Sequence, residues 1–229
     1  MLDAFLPAIT TLNISVTILI LAAFSFFSHR KKLINTTGII LADIIGIIAF
    51  IFGGFLAFLT LVIFYIIAET ATKIAKKDLQ KHEQRTTSNI IGNSGAAIIA
   101  LFLGQGIAFF GAISAALADT VSSEIGMLSK KDPVLITSFK KVEKGTDGGI
   151  TTLGTLAGLG AAILIGTLYY FTISPNGAIA IVIAGILGTL IDSLLGATLE
   201  RKGILNNTQV NFLASGSGAI LAFLLSGIV

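Results

Sequence analysis

Long apolar runs alternate with short polar stretches along this chain. All 15 lysines and arginines fall in four of those stretches: Arg30–Lys32, Lys73–Arg85, Lys130–Lys144 and Arg201–Lys202. A bilayer-spanning helix needs about 20 apolar residues, and about 17 at the low end. The runs predict helices at 7–27, 88–103, 106–126, 149–171, 176–199 and 209–228. The run around 39–67 is too long for one ordinary span. As a single helix it would put the basic stretch 73–85 on the opposite side from Arg30–Lys32. As a hairpin broken at Gly53-Gly54, with arms 36–52 and 54–75, it leaves every basic stretch on one side. That is the distribution expected of cytoplasmic loops, and it selects the hairpin. Eight spans follow, with both termini outside. The arms 36–52 and 88–103 are short, so seven spans with one re-entrant hairpin is the alternative.

Composition supports a membrane protein. The chain is 54% hydrophobic and 12% charged, with a mean hydropathy of +0.94, whereas soluble domains carry about 25% charge. The expected fold class is all-α: one polytopic transmembrane bundle over residues 1–229, in the cell membrane. Its 25 glycines and 3 prolines suit helices that pack closely. Gly154 and Gly158, continued by Ala162 and Gly166, predict one such contact. The absence of cysteine excludes disulfides and thiolate chemistry. The net charge of +3 is spread over membrane-proximal loops that lack interleaved aromatics, so nucleic acid is not an expected partner. Nothing in the sequence reports on oligomeric state.

Ionisable groups inside spans cost about 2.5–3.5 kcal/mol each on insertion scales and usually mark function. Here Asp43, Glu69, Asp119 and Asp192 each lie six or seven residues in from the basic end of a span, which is about 10 Å deep. Asn93 and Asn211 lie slightly shallower. Carboxylates sharing one level call for a cation or a wet cavity, and hard oxygen ligands favour Mg²⁺ alongside substrate phosphates. The densest polar segment is Ala118-Asp119-Thr120-Val121-Ser122-Ser123-Glu124-Ile125-Gly126. On a regular helix Asp119 and Glu124 face different ways. There is also an internal echo. Asn89/Asn93 open one span and Asn207/Asn211 another, while Asp119-Thr120 parallels Asp192-Ser193.

The longest loop, about 127–148, carries Lys140, Lys141 and Lys144. It ends in Gly145-Thr146-Asp147-Gly148-Gly149 just before a predicted helix. Glycines at a helix start let backbone N–H groups approach an anion, and the helix dipole favours phosphate there. Arg85 precedes Asn89 by four residues and shares its helix face.

The blocks ADTVSSEIG (118–126), KKVEKGTDGG (140–149), RTTSNIIGN (85–93) and IDSLLGATLE followed by NNTQVNF (191–212) resemble the signature of one integral-membrane family. It was long labelled a domain of unknown function and includes plant phytyl-phosphate kinases. The likeness covers about residues 30–220 and extends, more distantly, to dolichol kinase and CDP-diacylglycerol synthase. It implies an enzyme: a phosphotransferase that moves a phosphoryl group from a nucleoside triphosphate, with CTP favoured, to an isoprenyl monophosphate such as phytyl or geranylgeranyl phosphate. On that reading Asp119, Asp192 and Lys144 are catalytic. Mg²⁺ is held by Asp119 with Asp192 or Glu124. Lys140, Lys144 and Gly145, Thr146, Asp147 and Gly148 hold nucleotide phosphates, and Arg85, Asn89, Asn93 and Asn211 orient phosphate groups. The partners are then a lipid-like substrate and the membrane itself, with the active site facing the cytoplasm. A cytidylyltransferase making a CDP-lipid is the nearest alternative. An ion-coupled transporter is a third, though its sites belong nearer the midplane.

Overall fold

The computed structural model describes residues 10–79 and 86–228. In chain order its elements are α1 (Thr11–Arg30), α2 (Thr36–Leu79), α3 (Thr87–Phe102), α4 (Gly106–Gly126), β1 (Val134–Leu135), β2 (Gly149–Ile150), α5 (Thr152–Thr172), α6 (Ala178–Leu195), a π-helical turn Gly196–Glu200, and α7 (Asn207–Leu225). Polar side chains mark several helix starts by accepting otherwise unpaired N–H groups. Thr10 accepts from Asn13 N at 3.1 Å, and Thr151 from Gly154 N at 3.0 Å. Asn206 and Gln209 cap α7 reciprocally, at 3.0 and 2.9 Å. Among the described residues six helices are long and apolar enough to cross a bilayer, counting 36–75 as one and joining α6 to the π-turn; α3 is shorter. The protein is a polytopic helical membrane protein.

The hairpin expected within α2 is present. Gly54 has φ 71° and ψ −174°, a combination essentially confined to glycine. Asp43 and Tyr65 lie eleven residues either side of it and would be about 33 Å apart on a straight helix. Instead Ser25 of α1 donates to Asp43, and Ser28, one turn along, is 3.3 Å from Tyr65. A Cβ placed on Gly46 would come 3.3 Å from the ring of Phe58, across the two arms. Thr37 at the start of α2 also meets Thr87 at the start of α3, at 3.1 Å. The chain therefore reverses at Gly54, and both arms place their basic-loop ends at one end of the bundle.

Helix α4 is the axis, with every residue from 108 to 118 buried. Its neighbours approach it through small residues. A Cβ on Gly158 of α5 would lie 2.9 Å from Ala118 O, one on Gly154 2.5 Å from Ser122 O, and one on Gly218 of α7 2.7 Å from Gly111 O. Backbone approach of this kind is how helices associate where water supplies no driving force between them. The expected Gly154–Gly158 face is therefore a real contact, and it brings α5 against the turn of α4 that carries Asp119.

Candidate active site

At the basic end of the bundle a cavity of about 530 Å³ opens between α3, α4, α5, α6, α7 and the loop that follows α4. Asp119 projects from α4 and Asp192 from α6, and their carboxyls lie within hydrogen-bonding reach of each other. The Oδ2 atom of Asp192 is buried and has no hydrogen-bond partner among the described residues. Two carboxyls this close repel in a low-dielectric interior unless positive charge stands between them.

The aspartates are joined by two further acids. Asp147, on the loop, and Glu200, at the end of the π-turn, lie close enough to add negative charge at Asp192, and Asn207 donates to Glu200. Glu200 is a site residue that the sequence reading missed. Its position beside Arg201-Lys202 reads as an interfacial charge. The π-turn, a distortion that often marks function, carries it to the cavity wall.

The loop after α4 forms a small folded unit. β1 and β2 pair antiparallel, Val134 with Ile150 and Leu135 with Gly149. Thr146 N donates to Glu143 O at 3.2 Å, and Gly149 N to Thr146 O at 2.9 Å. Gly148 has φ 74° and lies flat on α6: a Cβ there would lie 2.5 Å from both Ser193 O and Ala197 N. The segment Lys144–Gly149 thus lines the cavity beside Asp192. Lys144 donates to Met127 O at 3.0 Å, which holds its ammonium at the rim.

The other expected residues divide. Asn89, Asn93 and Asn211 all line the cavity, but Asn89 also caps α3, accepting from Thr86 N at 2.9 Å and Thr86 Oγ1 at 3.0 Å. Asn211 is 3.5 Å from Asn207 on its own helix, and α3 approaches it closely: a Cβ on Gly92 would lie 3.1 Å from Asn211 Cβ. Glu124 lines the same cavity yet accepts from Thr72 of α2 at 2.7 Å. No group of three acidic or histidine side chains among the described residues is arranged as a ready cation cage; Glu124 and Asp119 lie on different faces of α4. Lys140 is exposed and does not line the cavity, while its neighbour Lys141 pairs with Asp132 at 3.3 Å. Arg85 lies outside the described residues. The single level expected for four carboxylates resolves differently in three dimensions. Asp43 turns to Ser25, and Glu69 pairs with Lys73 at 3.5 Å, so neither lines the cavity.

The sequence profile of integral membrane protein DUF92 matches residues 19–219, which takes in every cavity-lining side chain. The chain belongs to that family. An uncharacterized membrane protein, MJ0933, of Methanocaldococcus jannaschii is 39% identical over 94% of this chain and 95% of its own length. From Arabidopsis thaliana, the chloroplastic protein VTE6 is 32% identical over 84% of this chain and 65% of its own length, and protein PGR is 30% identical over 81% and 78%. No solved structure matches.

Proposed function

We propose that this protein is a membrane prenyl-phosphate kinase working at its cytoplasmic face, with eight spans and both termini outside. The observation that carries this reading is the meeting of Asp119 and Asp192 in a cavity that the glycine-rich segment Lys144–Gly149 also lines, packed beside Asp192. The resemblance to a family that includes phytyl-phosphate kinases supports an isoprenyl monophosphate as acceptor and a nucleoside triphosphate, CTP favoured, as donor.

The unpartnered Asp192 Oδ2 and the close Asp119 carboxyl fit a divalent cation such as Mg²⁺, with Asp147 and Glu200 adding negative charge from beside them. When bound, the cation neutralises phosphate charge. The chain does the rest by positioning, since phosphoryl transfer needs no covalent intermediate on the protein. Lys144 and the 145–149 backbone hold the donor's phosphates. Asn93 and Asn211 orient the acceptor phosphate from the facing wall. An acceptor oxygen attacks the γ-phosphorus, a new P–O–P linkage forms, the bond to the β-bridging oxygen breaks, and nucleoside diphosphate leaves with its electron pair. Apposing the two phosphates in a walled cavity supplies the proximity such a reaction needs.

Purified protein incubated with geranylgeranyl or phytyl phosphate and each of the four nucleoside triphosphates tests the reading directly. Release of nucleoside diphosphate with formation of prenyl diphosphate supports it. Release of pyrophosphate with a CDP-lipid would replace it by the cytidylyltransferase alternative. No nucleotide turnover, together with no heat protection by nucleotide, would overturn both.

A further inference from the structure

A second hollow, of about 540 Å³, runs along the far half of the seam between α3 and α7 and ends against the start of α4. Its floor is made of small buried residues, Ala96, Ala100 and Ala219, and its rims are large exposed ones, among them Ile99 and Phe223. From Phe212 to Phe223 it follows about 16 Å of helix.

Gly216 lies in the middle of this hollow. Glycine weakens a helix interior, and at many helical positions of this bundle, Gly218 among them, close packing explains it. At Gly216 no such reason exists: a Cβ would meet only Ala96 Cβ, at an ordinary 3.8 Å. The space above it is open. The hollow also continues the polar cavity. Asn93 and Asn211 line the cavity, while Ala96, one turn beyond Asn93, and Phe212, next to Asn211, line the hollow. Between them the Phe212 ring packs on Gly95, where a Cβ would come within 3.0 Å of it.

We propose that this groove receives the hydrocarbon tail of the lipid whose phosphate lies in the polar cavity, with Phe212 marking the boundary between head and tail; this rests on the kinase reading above. An amphiphile is the occupant that one seam, polar at one end and apolar within the bilayer, would bind along its whole length. The groove then sets chain-length preference, and longer prenyl phosphates gain affinity until it is filled.

The test compares kcat/KM for geranylgeranyl phosphate and dimethylallyl phosphate in nanodisc-embedded protein. Gly216→Leu should lower the long-chain value about tenfold, by removing room for a few methylenes, and leave the short-chain value within about twofold. Gly216→Ala is the folding control, and its thermal unfolding in detergent should match wild type. Equal losses on both substrates, or none, would overturn the groove. So would a change in oligomeric mass with the chain-length ratio intact, which would assign the groove to a second copy of the chain. Should wild type phosphorylate neither substrate, the kinase reading fails and a diazirine-tailed prenyl phosphate still reads the groove. Labelling at Ile99 and Phe223 that geranylgeranyl phosphate competes away supports it, whereas labelling spread over the lipid-facing helices, α1 included, removes it.

Discussion

Gly148 and Ala197 share one point of contact, with the loop backbone pressed so closely on the π-turn after α6 that a Cβ on Gly148 would lie 2.5 Å from Ala197 N. This contact fixes the distance between the glycine-rich wall and Asp192. Gly148→Ala is therefore expected to cost about 1–3 kcal/mol through overpacking and a left-handed backbone. Nucleotide turnover should fall with it. Gly145 also has a left-handed φ, of 84°, but a Cβ there meets only Met127 Cε at 3.9 Å, so Gly145→Ala should be the milder change. Thermal unfolding in detergent and turnover of the two variants compare them directly.

The Asp119–Asp192 pair should behave as a functional group that strains the fold. Asp119→Asn and Asp192→Asn are each expected to lower kcat by about 10²–10³-fold while leaving thermal stability unchanged or raised, because a repulsive charge is removed. Loss of stability without loss of rate would reverse the assignment.

Glu124 can be separated from the aspartates through Thr72. Thr72→Val removes the donor to Glu124 and should cost about 1 kcal/mol of stability. Glu124→Gln keeps an acceptor for Thr72 and removes the charge. If Glu124 is structural, Glu124→Gln retains turnover and its Mg²⁺ dependence. A rightward shift of the Mg²⁺ titration would instead restore it as a ligand.

Two of the lysines of the loop, Lys144 and Lys140, are expected to differ. Lys144→Ala should raise KM for the nucleotide by about 10–100-fold, the value of one charge-assisted hydrogen bond. Lys140→Ala, at an exposed position off the cavity, should leave it unchanged. Steady-state kinetics with varied nucleotide distinguishes them, and equal effects would argue for a screening role of the whole loop rather than a contact by Lys144.

Much of this was legible in the chain because charge is expensive in a bilayer. The one-sided distribution of lysine and arginine was enough to choose a hairpin at Gly53-Gly54 over a long helix, and the left-handed Gly54 bears that choice out. Depth put Asp119, Asp192, Asn93 and Asn211 near one level, and all four line the cavity. Depth alone carries no information about direction around the bundle, which is why it groups Asp43 and Glu69 with them. Asp43 turns to Ser25 and Glu69 to Lys73. Glu200 was hidden for a different reason: a π-turn rephases a helix end, and a regular 3.6-residue period does not anticipate it.

The central place of α4 also constrains how the molecule is made. The surfaces that meet it through Gly158, Gly188 and Gly218 are all translated later, so a ribosome must thread α4 into the bilayer before most of its mates exist. Until α6 arrives, Asp119 is without its companion acid. Nascent chains that stall before α6 should consequently be the preferred prey of membrane quality-control proteases.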